Sequence, residues 1–286
     1  DRLRNSTSVS VARNNTPSPV LNTKKSAIWR FFLLCLFFLP ALSTAQNCPA
    51  TAYDESAIVK YVHDGDTIKL RDGRKFRLIG INATEVARNK RPAEAYALAA
   101  RDRLRTLLQK HNNQIKLIYG NEKQDHYQRS LAHIFLPNGQ NLQAQLLLEG
   151  LASAITIPPN DRYADCYQQV EKQAFCENKG LWSREIPTVT DLNESSNGFR
   201  VIRGKLNKIE SSRKGLWLHL EHGLSLRIAF KHLPFFDRER LKSLLNKNVI
   251  VRGWLQIMKK PKPGQHFYMQ IKHPSSIGEE KIALKC

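Results

Sequence analysis

Cysteine is scarce, five in 286 residues, and no pair stands at the CxxC or CxxH spacing of a zinc site. The chain therefore gives no sign of a zinc-organised domain. Long apolar runs are missing as well. FFLLCLFFLPAL, near the N-terminal end, is about twelve residues long, short of the roughly twenty that cross a bilayer. Acids are in short supply, 25 Asp and Glu against 45 Lys and Arg, for a formal charge of +20. No internal repeat is visible, so 286 residues leave room for one large domain or two ordinary ones, and two is the expectation.

The apolar run has the surroundings of a secretory signal. Lys24, Lys25 and Arg30 precede it, and Ser43 and Ala45 stand at the small-residue cleavage positions. We read 24–45 as a signal peptide and the polar residues 1–23, which lack an initiating Met, as an untranslated or disordered leader. The expected product is secreted or periplasmic, with no stable membrane anchoring once the signal is removed. Cleavage takes Cys35 away and leaves Cys48, Cys166, Cys176 and Cys286 in an oxidising compartment, where two disulfides are expected. Residues 162–179 read as a helix, on which Cys166 and Cys176 would lie about 15 Å apart along the axis, beyond bonding reach. Cys166 shares an apolar face with Val170 and Ala174, which favours a Cys48–Cys166 pair and leaves Cys176–Cys286 by elimination. Free buried thiols are the alternative.

The excess charge is concentrated in one segment. Residues 198–286 hold 19 of the basic side chains and only 6 of the acids, a net of +13, whereas 46–197 are nearly balanced at +2. A basic half joined to a near-neutral half points to a polyanion partner, DNA and/or RNA. Between them SREIPTVTDLNESSNG has no apolar periodicity, so 185–197 read as a linker between domains at 46–184 and 198–286.

AIVKYVHD, TIKL and KFRLIGI alternate apolar and polar residues and are broken by DGD and RDGR, the pattern of a three-stranded meander. A helix follows over Ala93–Lys110, with Ala93, Ala97, Ala100, Leu104 and Leu107 on one face. QIKLIYG and SLAHIFL give two more strands, and NLQAQLLLEG a short helix ended by Gly150. Five short strands suit a closed barrel of the OB type. In 198–286 about five further strands, with a helix in DRERLKSLLNK, read as a second OB-like barrel. The fold class is thus mainly β with helices (α+β).

Asp64, Asp66, Arg77, Glu85 and Arg129 are each unremarkable alone. Together they supply what phosphodiester cleavage needs: oxygen ligands for a hard cation, guanidinium donors for phosphoryl oxygens, and a carboxylate to handle water. VHDGDTIKL, FRLIGINATE, DHYQRSLAHIF, LLLEGLA and GLW, running from about Ile58 to Trp182, resemble the staphylococcal nuclease (thermonuclease) family in order and spacing. The resemblance implies that family's five-stranded OB-type barrel. It also implies a calcium ligand at Asp66 with Asp64 in support, phosphate-binding arginines at Arg77 and Arg129, and a general base or water-positioner at Glu85. His126 and Tyr127 would lie against the substrate. Where the family places a second aspartate ligand this chain has Asn82. Its amide oxygen and the Ala83 carbonyl can still coordinate, but one negative charge is lost, so weaker calcium binding is expected and magnesium or manganese become alternatives. Family tyrosines that flank the nucleotide are replaced by Thr156, Ile157 and Pro158.

The expectation is an exported, metal-dependent, monomeric endonuclease of low sequence specificity that leaves 3′-phosphate ends. The alternatives are a nuclease-fold protein that binds nucleic acid without cleaving it, and a two-barrel protein scaffold. In the C-terminal half Trp217, Trp254, Phe267 and Tyr268 are candidate stacking residues, with Lys205, Lys208, Arg213, Lys214, Lys259, Lys260 and Lys262 as the basic component.

Overall fold

The computed structural model describes residues 48–87, 92–258 and 265–286. The expected leader and signal peptide, and Lys259, Lys260 and Lys262, lie outside these residues. No helix among the described residues is long and apolar enough to cross a membrane.

The first lobe is built on β1 (Glu55–Val62), β2 (Thr67–Leu70), β3 (Lys75–Leu78), β4 (Ile81–Ala83), α1 (Ala97–Gln109), β5 (Gln114–Gln124), β6 (Ser130–Phe135), α2 (Leu142–Leu148), β7 (Ala152–Ala154) and α3 (Ala164–Cys176). Strands pair in the order β1-β2-β3-β6-β5 and close into a barrel. The β3–β6 pair is its only parallel one; the others are antiparallel. Alternation puts Ile68, Leu70, Phe76, Leu78, Ile115 and Leu117 in the interior. The α1 face made of Ala97, Ala100, Leu104 and Leu107 is buried as the spacing predicts. This helix begins four residues later than predicted, because Tyr96 takes a left-handed conformation, φ 64°, that interrupts the turn before it. Gly150 follows α2 at φ 65°, and a Cβ there would meet the Lys179 carbonyl oxygen at 2.1 Å; only glycine fits.

In the second lobe β8 (Gly198–Ser212), β9 (Gly215–Leu220), β10 (Leu224–Ile228), α4 (Arg238–Ser243), β11 (Asn248–Ile257), β12 (Phe267–Gln270), β13 (Ile277–Glu279) and α5 (Glu280–Ala283) follow one another. Because β12 pairs with both β10 and β11, five strands form a second ring in the order β8-β9-β10-β12-β11, with β13 added outside β11. Its one parallel pair again joins the third and fifth strands, β10 and β12. Helix α4 is shorter than DRERLKSLLNK predicts: Asp237 caps it through Oδ1, and Asn246 turns left-handed at φ 62° three residues past its end.

Residues between the lobes are folded against them. Ile186 joins Ala174, Trp182 and Ile250 in an apolar seam, and Val189 sits in the second core. Two disulfides are formed, Cys48–Cys166 and Cys176–Cys286, with Cα atoms 5.8 and 5.5 Å apart; the second ties the final residue to the end of α3.

Candidate active site

The DGD turn between β1 and β2 is a hairpin turn, closed by His63 N–H donating to the Thr67 carbonyl at 2.9 Å. Within it Asp66 N–H donates to Asp64 Oδ1 at 3.0 Å. Gly65 is there for close approach: a Cβ would lie 2.6 Å from Ala83 Cβ and 2.7 Å from Ala100 Cβ. The turn can therefore back directly onto β4 and α1.

This approach buries Asp66, 7% exposed, in a full set of partners. Oδ1 accepts from Thr67 Oγ1 at 3.0 Å and pairs with the Arg77 guanidinium, while Oδ2 accepts from Ala83 N–H at 2.9 Å. Register explains the meeting, since Arg77 on β3 stands opposite Thr67 on β2. Arg77 Nη2 also donates to the Ile81 carbonyl and to Asn82 Oδ1, each at 3.2 Å. The Asn82 amide in turn donates to the Ala83 carbonyl at 3.0 Å.

Arg129, at the end of the β5–β6 turn, is held by Asp125, with Nε and Nη2 both 2.8 Å from Oδ2. Its Nη1 reaches Thr67 Oγ1 at 3.4 Å. Thr67 thus touches both Asp66 and Arg129 and stands opposite Arg77 in register, so both guanidiniums converge on it. Tyr127 is exposed, with Arg129 5.5 Å from its ring centroid and the His126 ring 3.8 Å away. Glu85 lies at the rim. Its N–H donates to Glu94 Oε2 at 3.0 Å, and Glu94 Oε1 accepts from Arg200 of the second lobe at 2.9 Å.

The charges are crowded. Burial, reinforced by the Asp66 carboxylate, pushes the Asp64 carboxyl up to about 7. Partial burial and the same Asp66 charge raise Glu85 above the ordinary carboxylate range, against the pull of Arg77 and Arg129. Among the described residues no three His, Cys, Asp or Glu side chains converge as metal donors. The groups that could hold a metal here offer oxygen only: the Asp64 and Asp66 carboxylates, the Asn82 amide and the Ala83 carbonyl. That chemistry, with carboxylates close enough to repel, fits a hard divalent cation.

Asp64, Asp66, Arg77, Asn82, Ala83 and Glu85 lie on β3, β4 or the turns next to β2 and β4, whereas His126, Tyr127 and Arg129 lie in the β5–β6 turn. Asp66, Thr67, Arg77, Asn82, Ala83 and Arg129 are linked by direct contacts, while Glu85 joins through the charges it feels. Glu94 and Arg200 carry no signal in the sequence, and Thr67, though part of VHDGDTIKL, is given no role there. Of the second-lobe candidates, Trp217 and Tyr268 are brought together, whereas Phe267 packs toward the core and Trp254 pairs with Phe199 at 5.4 Å. Phe267 is therefore not a stacking surface.

Comparison with known proteins gives a family pattern described as staphylococcal nuclease homologue, matching residues 75–184. A thermonuclease of Staphylococcus intermedius is 36% identical over 135 residues, 46% of this chain and 77% of that protein. The thermonuclease of Staphylococcus hyicus is 32% identical over 137 residues, covering 47% and 79%. Endonuclease YhcR of Bacillus subtilis is 31% identical over 155 residues, half of this chain but 13% of that protein.

Proposed function

Since the chain belongs to the staphylococcal nuclease family, we propose that it is an exported, divalent-metal-dependent endonuclease, acting as a monomer on DNA and/or RNA with low sequence specificity. The observation that carries this reading is the meeting of two arginines at Thr67, Arg77 opposite it in register and Arg129 in contact with its hydroxyl, with a carboxylate of raised pKa at the rim.

A phosphodiester entering the cleft would compete with Asp66 and Asp125 for the two guanidiniums. Each guanidinium offers paired donors and stays charged, so together they can carry the negative charge that grows as phosphorus becomes five-coordinate. Glu85 orients a water and takes its proton as the water oxygen attacks phosphorus; its raised pKa makes it the stronger base. The bond to the 5′ oxygen breaks, that oxygen takes its proton from a solvent water, Glu85 returns the proton it accepted to the solvent, and a 3′-phosphate remains. Asp64, Asp66, Asn82 and Ala83 would hold the cation, which when bound supplies further charge stabilisation at the phosphoryl group. Two neutral oxygens among four donors mean weak binding. Calcium is the first candidate, and magnesium or manganese the alternatives.

One observation favours a second reading, a nuclease-fold protein that binds without cleaving: Asn82 Oδ1 is engaged by Arg77 and contributes no charge. Incubation of the mature protein with plasmid and RNA under calcium, magnesium, manganese or EDTA separates the two. Metal-dependent cleavage abolished by Arg77→Ala and Glu85→Gln is expected. If wild type and both variants are equally inert in every metal while binding persists, the binding protein is correct. Asn82→Asp should lower the calcium concentration for half-maximal rate and tighten calcium binding by calorimetry; no change in either removes Asn82 from the ligand set.

A further inference from the structure

The two rings share one pairing scheme, so their positions can be matched by register. Thr67 stands opposite Arg77 across β2 and β3, and Trp217 stands opposite Arg227 across β9 and β10. Reading back along each second strand, Asp64-Gly65-Asp66-Thr67 corresponds to Lys214-Gly215-Leu216-Trp217. The outward arginine of the third strand is retained and both carboxylates are gone, replaced by a lysine and a leucine. Such a face still attracts anions but has nothing with which to hold a cation or activate water.

Aromatic rings occupy the space instead. Trp217 and Tyr268 approach with centroids 5.9 Å apart, the Arg227 guanidinium lies 5.7 Å from the Tyr268 centroid, and the His219 ring is parallel to Trp217 within 3° at 6.3 Å. Trp217 Nε1 donates to Ser212 Oγ at 2.8 Å, which fixes the indole. These rings stand outside the core, whose interior here is Leu218, Leu226 and Met269. Among the described residues Arg227 has no carboxylate at ion-pair distance, and its buried Nε has no hydrogen-bond partner. Trp217, Tyr268 and Arg227, with Lys214 and Gln256, line an open groove of about 470 Å³.

We propose that this groove binds single-stranded nucleic acid without cleaving it, stacking bases on Trp217 and Tyr268 and receiving phosphate on Arg227 and Lys214. The net charge of +13 on residues 198–286 suits a polyanion. The rings select unpaired bases, because a duplex keeps its base faces covered. The site goes beyond the nuclease reading and does not depend on it, since neither metal nor Glu85 takes part.

The test is fluorescence anisotropy of the intact chain in EDTA, with labelled oligo(dT) of about 12 nucleotides and a duplex of equal length. Titrations are repeated in an Arg77→Ala/Arg129→Ala background that silences the first cleft. Trp217→Ala and Tyr268→Ala are each expected to weaken oligo(dT) binding about tenfold or more. Trp217→Phe should keep most of the affinity, and Trp254→Ala, an exposed indole outside the groove, all of it. Arg227→Ala should reduce the slope of log K against log salt by about 0.7. Unchanged affinity in Trp217→Ala and Tyr268→Ala, an equal loss in Trp254→Ala, or a duplex bound as tightly as oligo(dT) would overturn the proposal. Failure of the nuclease reading would appear as absent cleavage and leave these affinities untouched.

Discussion

Gly65 sets how close the candidate site can be drawn. Both atoms that a Cβ would strike, Ala83 Cβ and Ala100 Cβ, are fixed to backbone and cannot rotate away. Gly65→Ala must therefore push the turn off β4 and lengthen the bond from Ala83 N–H to Asp66 Oδ2. We expect a stability loss of about 1–3 kcal/mol, read by urea unfolding, and a larger proportional loss of cleavage rate; a variant with wild-type rate would show that the close approach is not needed. A second residue, His133, reports on pH. It is buried with Nδ1 2.9 Å from Tyr167 Oη, and burial, with Arg162 nearby, holds its pKa down to about 3 from 6.5. Below pH 6.5 the unfolded chain takes up a proton that the folded chain refuses until about pH 3, so this contribution to stability is complete above 6.5 and is lost as pH falls toward 3. His133→Gln should flatten the stability profile in that window by roughly 1 kcal/mol per pH unit, and parallel profiles would refute the assignment. Asp66, Arg77 and Arg129 could be named as candidates from the sequence because their chemistry is in the residue type, and the fold brings them together. The reason for Gly65 could not, because Ala83 and Ala100 are brought to it only by the fold.

At the scale of elements, what could be foreseen follows from length. β1, β2 and β3 alternate over enough residues to declare themselves, and α1 shows its face through four apolar positions. β4 and β7 are three residues each, with every residue buried, and give no period to read. Yet β4 carries Asn82 and Ala83, and β7 pairs with it along its whole length. The pair is secured from the second lobe: Arg252 on β11 donates to the Ala154 carbonyl at 2.9 Å and pairs with Glu171 of α3, whose other oxygen accepts from Ala154 N–H at 2.7 Å. Removing one member leaves a buried charge alone. Arg252→Met is expected to cost about 3–5 kcal/mol and to speed hydrogen exchange at the Ala154 amide. Arg252→Met with Glu171→Leu should recover most of the loss, since no charge is then stranded. A double-mutant cycle with no coupling would mean that the contact holds nothing in place.

For the whole molecule, the division into two lobes was legible in charge and strand spacing, but the seam between them was not. Ala174, Trp182, Ile186 and Ile250 come from four places in the chain, and each reads locally as part of its own element. This seam, the Arg252–Glu171 pair and the Arg200–Glu94 pair join the lobes, and Cys176–Cys286 adds a covalent tie. The tie closes a loop of 110 residues and fastens Cys286 of the second lobe to α3 in the first. Closing a loop of this length removes freedom from the unfolded chain, and losing such a bond typically costs about 2–5 kcal/mol. The cost should fall unevenly. Without the bond the second lobe can unfold while Cys48–Cys166 and the core of the first lobe persist, so Cys176→Ser/Cys286→Ser should split a single calorimetric transition into two. Cleavage of a short substrate should then decline in step with the lower transition, since Arg200 and Arg252 leave with the second lobe and release Glu94 and the β4–β7 pair. If the variant still unfolds in one transition at the wild-type temperature, the apolar seam and ion pairs alone couple the lobes.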